Sequence, residues 1–290
     1  MATDVDFRVL VATDGSDAAQ AAIATVVDFP WPVRSRVRVV IARNPRAGHR
    51  RSILLEALDR GAEDASEKAR RVLSSRWPDV DVVIVDQAPV KAILHEAERF
   101  TADVVVLGWR GRGPVRRLLM GSVSRGVVRG AKSAVLVVRQ PQHVRRVVVG
   151  YDESATAKRA VAFLDKLAPP PDGRLTLVNA VQLMAAPSGR RVPGAAAIAR
   201  EIRRMNAARS RTAMRELNRA ARPLKRSGWH TRTMLTNGEP LRDLLRAVGT
   251  TRAHLLVVGA RGARGVHRLL LGSVAEGALN HSPVPVLVVH

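Results

Sequence analysis

Short, β-branched apolar runs alternate with longer amphipathic stretches along the chain. In the first half, Val9 to Thr13, Val37 to Ala42, Val80 to Val85, Val104 to Gly108 and Val135 to Arg139 are nearly continuous in apolar character, as strands covered on both faces are. Between them, Ala18 to Val27, Ser52 to Ser75, Pro89 to Phe100 and Ser122 to Gly130 carry helical spacing. Ser16 before the first helix and Pro89 at the start of another are residues that open helices. Alternating strands and helices predict a parallel sheet wrapped on both sides, because parallel neighbours need crossover connections. Sheets of this kind bind ligands beyond the carboxyl ends of their strands.

The pattern then repeats. RVLVATDGSD from Arg8 matches RVVVGYDES from Arg146, placing Asp14 on Asp152 at an offset of 138. The segment from Val104 to Val138 matches Leu255 to Val289, placing Gly108 on Gly259 at an offset of 151. The second half therefore carries about 13 extra residues, and the Pro/Gly-bearing stretch Ala185 to Gly194 is the expected insertion. QPQHV at Gln140 to Val144 separates two strand-like runs, which predicts domains at 1–143 and 144–290. The expected fold class is α/β, with two tandem doubly wound domains, each a five-stranded parallel sheet with helices on both faces.

Composition narrows the chemistry. With 290 residues, 46% of them hydrophobic, the chain can bury two cores. It has no cysteine, which excludes disulfides, thiol nucleophiles and cysteine-ligated metals and fits a reducing compartment. The first ten residues hold two aspartates and no export signal, and the apolar runs are strand-sized, so the reading is a cytoplasmic protein with no membrane partner.

Both halves place glycine-rich loops after their fourth strand. The spacing Gly108-x-x-Gly111, nine residues, Gly121-Ser122 recurs as Gly259-x-x-Gly262, nine residues, Gly272-Ser273. Glycine lets backbone amides approach a phosphate, and the start of the following helix favours an anion. The alternative is a tight loop followed by an ordinary serine N-cap at Ser122 and Ser273. Asp14 and Asp152, closing the first strand of each half, could hydrogen-bond ribose or orient a metal, or could simply close a turn.

This pattern, with the flanking RLLMGSVSRGVV and RLLLGSVAEGAL, resembles the universal stress protein family over nearly the whole chain, as a tandem member of its ATP-binding type. The resemblance implies the strand order 3-2-1-4-5 and domain pairing through the last strands, Val135 to Val138 and Val286 to Val289. It also implies ATP and Mg2+ as cofactors. Thr13, Asp14 and Ala42 would hold adenine and ribose, and Gly108, Arg110, Gly111, Gly121, Ser122 and Val123 the ribose and phosphates. The second site would use Tyr151, Asp152, Ala180, Gly259, Arg261, Gly262, Gly272, Ser273 and Val274. Mg2+ would sit on the phosphates near Asp14 and Asp152, with no direct protein metal site. Gly130-Ala131-Lys132-Ser133 departs from the proline-containing turn seen at Asn280 to Pro283, so a less regular entry into the first domain's last strand is expected.

No G-x-x-x-x-G-K-S/T run is present, so no phosphate-loop ATPase is expected. Catalytic residues are assigned to none, with weak ATP hydrolysis at most. The reading is an ATP-binding stress-response regulator whose nucleotide occupancy biases conformation or partners, its paired domains open to further pairing as a homodimer.

The alternative rests on charge. Lys and Arg number 48 against 25 Asp and Glu, and residues 144–290 carry 25 of the basic residues against nine acidic ones. Arg190 to Arg226 holds twelve basic residues and reads as one amphipathic helix, with Ile198, Ile202, Met205, Met214 and Leu217 expected to face the sheet. Its basic outer face could meet nucleic acid or an acidic partner. The shortage of aromatic residues argues against single-strand nucleic-acid readers.

Overall fold

The computed structural model describes residues 6–43, 53–110, 120–185, 195–262 and 271–290. In the first half, β1 (Phe7–Ala12), β2 (Ser35–Ala42), β3 (Asp81–Val85), β4 (Val104–Gly108) and β5 (Ala134–Val138) alternate with α1 (Asp17–Asp28), α2 (Ile53–Leu73), α3 (Pro89–Arg99) and α4 (Ser122–Gly130). The second half repeats this with β6 (Arg146–Gly150), α5 (Ala155–Asp165), β7 (Arg174–Ala180), α6 (Ala195–Arg226), β8 (His230–Thr236), α7 (Pro240–Thr251), β9 (Leu255–Gly259), α8 (Ser273–His281) and β10 (Val286–Val289).

All ten strands form one sheet in the order β3-β2-β1-β4-β5-β10-β9-β6-β7-β8. Each half is thus a parallel five-stranded unit of order 3-2-1-4-5, as expected, and the two join where β10 runs antiparallel to β5, with Leu287 opposite Leu136. This junction removes one exposed edge from each half. The entry to β5 is regular, against expectation: Ala134 N–H donates to Asp103 O at 3.1 Å, and β5 pairs with β4 over its full length.

Successive strand side chains point to opposite faces and fill two apolar layers. Val9 and Val11 pack with α1, α2, α5 and α6, whereas Leu10 and Ala12 pack on the side of α3, α4, α7 and α8. Aromatic contacts also cross between halves, with Phe7 and Phe163 edge to face at 5.6 Å.

The expected inward face of α6 holds only in part. In α6, Leu217, Ala220, Ala221 and Leu224 are buried, but Ile198 and Met205 are 46% and 45% exposed. Only the C-terminal half of this helix lies on β7 and β8. The apolar stripe is real, but its first turns run beyond the strands that could cover it. Of the expected insertion, Ala185 is described; 186–194, with Arg190 and Arg191, lie outside the described residues. Among the described residues no helix is long and apolar enough to cross a membrane.

Candidate functional site

The strand order puts the carboxyl ends of β1 and β4, and of β6 and β9, side by side, with the crossovers leaving in opposite directions. A crevice opens where neighbouring connections diverge.

In the second half, Tyr151, Asp152, Ala180, Gly259, Arg261, Gly262, Gly272, Ser273 and Val274, all read from sequence, line one cavity of about 330 Å³. That volume lies within the range of small-ligand pockets. Val178, Leu244 and Val258 give it an apolar floor, and Asn179 and Pro240 complete its rim. Sequence spacing missed these residues because most come from β7 and α7, distant in the chain. The one local signal was Pro240, which opens α7 as Pro89 opens α3.

Close approach explains the glycines. A Cβ on Gly259 would lie 2.4 Å from Thr156 Oγ1 and 3.0 Å from the Ala157 backbone N, so a side chain there would crowd the cavity wall, whereas one on Gly262 would meet only the end of the exposed Asp152 side chain, at 2.9 Å from Oδ2, and would push that carboxylate aside. Gly272 N–H donates to Ala260 O at 2.8 Å, folding the loop back on the end of β9. Gly272, and not Ser273, is the N-cap of α8, and no side chain caps it; Gly121 and Ser122 repeat this in α4. The serine N-cap alternative is therefore corrected. Both serines occupy the first helical position, leaving the initial amides without a partner inside the helix, and an anion would complement them.

Asp152 has a partly structural role. Its Oδ1 accepts the Ser154 N–H at 3.1 Å, and Ser154 in turn caps α5. Asp14 does the same for Ser16 at 3.0 Å. Both aspartates close turns while lying at the crevice mouth. Tyr151 is buried, and desolvation, followed by the field of Glu216, raises its phenol, so it is neutral in ordinary buffers and can donate a hydrogen bond.

In the first half, Thr13 and Asp14 follow β1, Ala42 ends β2, Gly108 ends β4, and Arg110 follows shortly. Gly121, Ser122 and Val123 open α4, with Gly121 N–H donating to Trp109 O at 3.0 Å. Gly111 lies outside the described residues. A Cβ on Gly108 would lie 2.6 Å from the Ala18 backbone, which holds β4 against the start of α1. Two features here were not legible in sequence. Arg43 bonds Asp59 of α2 and both oxygens of Asp86, the latter at 2.5 and 2.7 Å, tying α2 to the end of β3 beside Ala42. Trp109 donates its ring N–H to Leu279 O of α8 at 2.9 Å, beneath the Arg139 guanidinium at 3.6 Å from the ring centre.

The second cavity combines an apolar floor, backbone amides at a helix start, Arg261 and a carboxylate beside Gly262, a set of groups that an adenine nucleotide would use. Among the described residues no cluster of three or more His, Cys, Asp or Glu could hold a metal.

Comparison with known proteins places this architecture. The model of the universal stress protein family matches residues 7–139 and again 143–290. A universal stress protein of Thermus aquaticus is 35% identical over 133 residues, 45% of this chain and 97% of that protein. One of Mycobacterium tuberculosis is 30% identical over 224 residues, 71% of this chain and 67% of the relative. The crystal structure of a universal stress protein from Archaeoglobus fulgidus shares the fold over 97% of both chains, with a TM-score of 0.70 at 22% identity. With each half matched separately by the family model and joined to the other through its last strand, the chain belongs to the universal stress protein family as a tandem member.

Proposed function

We propose that the protein binds ATP or a related adenine nucleotide, with Mg2+, and acts as a cytoplasmic stress-response regulator in which occupancy biases conformation or partner choice. The observation that carries this reading is the convergence of nine sequence-selected residues on one cavity in the second half. Adenine would rest on the apolar floor near Ala180, ribose near Asp152, and phosphates against Gly262, Gly272, Ser273 and the start of α8. The first half supplies a second site of the same plan at Thr13, Asp14 and Gly108. The role is binding, with hydrolysis at most slow.

The test is calorimetric titration of ATP and Mg2+ into nucleotide-stripped protein beside Gly262→Ala, whose new methyl group would crowd Asp152. Saturable binding that weakens about tenfold or more in the variant, with the circular dichroism spectrum unchanged, is expected from the lost close approach. Absence of binding up to millimolar ATP overturns the reading. The outcome would then favour a second one, for which the outward half of α6 speaks: an acidic partner docking on its arginines and on exposed Ile198 and Met205, with binding that collapses as salt rises.

A further inference from the structure

The outer strands of the two repeats carry opposite charge on the same face. In the first repeat, Asp6 pairs with Arg36 at 2.9 Å, Asp81 and Glu96 hold Arg38 at 2.7 and 2.6 Å, and Asp79 lies just before β3. At the repeat offsets, Asp6, Asp79, Asp81 and Glu96 become Val144, His230, Arg232 and Ala247, while Arg36 is kept as Arg174 and Arg38 becomes Thr176. The second repeat has lost all four carboxylates.

These changes leave a groove of about 970 Å³ at the amino ends of β6, β7 and β8, opposite the end that holds the candidate nucleotide cavity. Arg174 pairs with His230, and Thr176 with Arg232, so the four residues project from one face of two adjacent strands. Arg146 and Lys225 also line the groove, and its one carboxylate, Asp172, is engaged by Arg145 at 3.2 Å. Arg174, Lys225 and Arg232 have no ion-pair partner among the described residues. Thr176 is only 8% exposed, and its hydroxyl has no hydrogen-bond partner among the described residues. A recessed hydroxyl without a partner is costly, and a ligand would supply one. The carbonyl end of α7, which would oppose an anion, is covered. Arg252 and Ala253 N–H donate to Gly249 and Val248 O at 3.1 and 2.9 Å, and Arg146 Nε donates to Arg252 O at 2.7 Å.

We propose that this groove is a separate anion site that binds a small oligophosphate such as pyrophosphate, with Arg174 and Arg232 on its charged oxygens and the Thr176 hydroxyl donating from the floor. Guanidiniums on neighbouring strands suit an anion that carries more than one charged group. A small ligand reaches the recessed Thr176 more readily than the backbone of a duplex does. The first repeat has no counterpart, because Arg38, Asp81 and Glu96 satisfy one another on the same ground. The site stands apart from nucleotide binding at the other end of the strands and does not depend on it.

The experiment is calorimetric titration of pyrophosphate into the full nucleotide-stripped chain and into Arg174→Ala, Arg232→Ala and Thr176→Val. Arg174 and Arg232 are exposed, so their truncation leaves the fold intact. Arg200→Ala, exposed on α6 and away from the groove, controls for net charge, and Gly262→Ala controls for the nucleotide cavity. Saturable binding is expected, weakened about tenfold by either groove arginine variant and about threefold by Thr176→Val, the sizes of one charge-assisted and one neutral contact. Arg200→Ala and Gly262→Ala should match the parent. No binding up to millimolar pyrophosphate, or full affinity in Arg232→Ala, overturns the site. An equal loss in Arg200→Ala, or full affinity in Thr176→Val, reduces it to general surface charge and overturns it as well. Loss in Gly262→Ala alone would assign the pyrophosphate to the nucleotide cavity. A DNA duplex that binds more tightly than pyrophosphate and is lost in the same groove variants overturns the small-ligand assignment.

Discussion

In the first repeat, Arg43 spans from the end of β2 to Asp59 of α2 and Asp86 after β3; in the second, the same three positions are Val181, Ser210 and Asn237. The mouth of one crevice is strapped by charge, while its counterpart opens onto a groove beside α6 that Glu153, Arg209 and Glu239 line. A similar contrast lies deeper. Arg38 bonds Asp81 and the buried Glu96 at 2.7 and 2.6 Å in the first repeat, where the second has Thr176 and Ala247. The shared topology constrains backbone approach at the glycines and apolar alternation in the strands, and both repeats keep these. It leaves open how the rim and the strand-helix seams are filled, and there the repeats part.

The largest expected effect comes from the buried pair. Arg38→Ala strands the Glu96 carboxylate, which is 2% exposed, and should cost about 3 kcal/mol in urea unfolding. Importing the second repeat's solution, Arg38→Thr with Glu96→Ala, should recover most of that loss; a double variant as unstable as the single one would show that the pair is not the source of the difference.

The next test concerns the residues that follow the two last strands. Arg139 bonds the Leu279 and Asn280 carbonyls at the end of α8 at 3.1 and 2.5 Å, and the residue matching it is His290. Burial first, then the fields of Arg261 and Arg159, lowers the His290 imidazole to about 4 from its ordinary 6.5. The unfolded chain therefore binds the extra proton between these values. Stability from this group is fully present above pH 6.5 and is lost as pH falls toward about 4, by roughly 3 kcal/mol in total. Comparing urea unfolding of the parent and His290→Gln across pH 7 to 4 should show a shallower decline in the variant. Parallel curves would rule His290 out as the source.

A smaller effect is expected at the strap. Arg43 holds Asp86 below the usual carboxylate range through their hydrogen bonds, but Asp86 is exposed, so Arg43→Val should change stability little. Its more informative readout is nucleotide binding at the first repeat, which should strengthen once α2 is no longer tied to β3. Unchanged calorimetric stoichiometry and affinity would show that the strap does not govern access.

The smallest effect is in the backbone. Gly15 and Glu153 occupy the same repeat position with φ of 74° and 65°, and the glycine adopts this left-handed conformation without steric cost. Glu153→Gly should gain about 0.5 kcal/mol in thermal unfolding after the added chain entropy is offset. A loss would mean that the Glu153 side chain, which lines the groove beside α6, makes a stabilising contact.

Several features were readable without coordinates, others were not. Periodicity located the strands because a doubly covered parallel sheet demands continuous apolar runs. Internal duplication located both glycine loops and, through the resemblance, the set of residues around the second cavity. Ile198 and Met205 show where periodicity stops: a stripe at helical spacing says which side of α6 is apolar, not whether any strand extends far enough to cover it. Ser122 and Ser273 show the same limit in the backbone, since one residue's shift separates a capping side chain from the first helical position.

By itself the sequence determined two copies of an alternating α/β unit and the glycine spacing of their loops, because these follow from short-range periodicity and from comparing the chain with itself. The tertiary structure decided what meets across long separations: β5 against β10, Trp109 against the end of α8, Arg43 across one crevice and Arg209 beside the other. Those pairings depend on crossover geometry and on how far each helix runs past the sheet, and neither leaves a periodic trace in the chain.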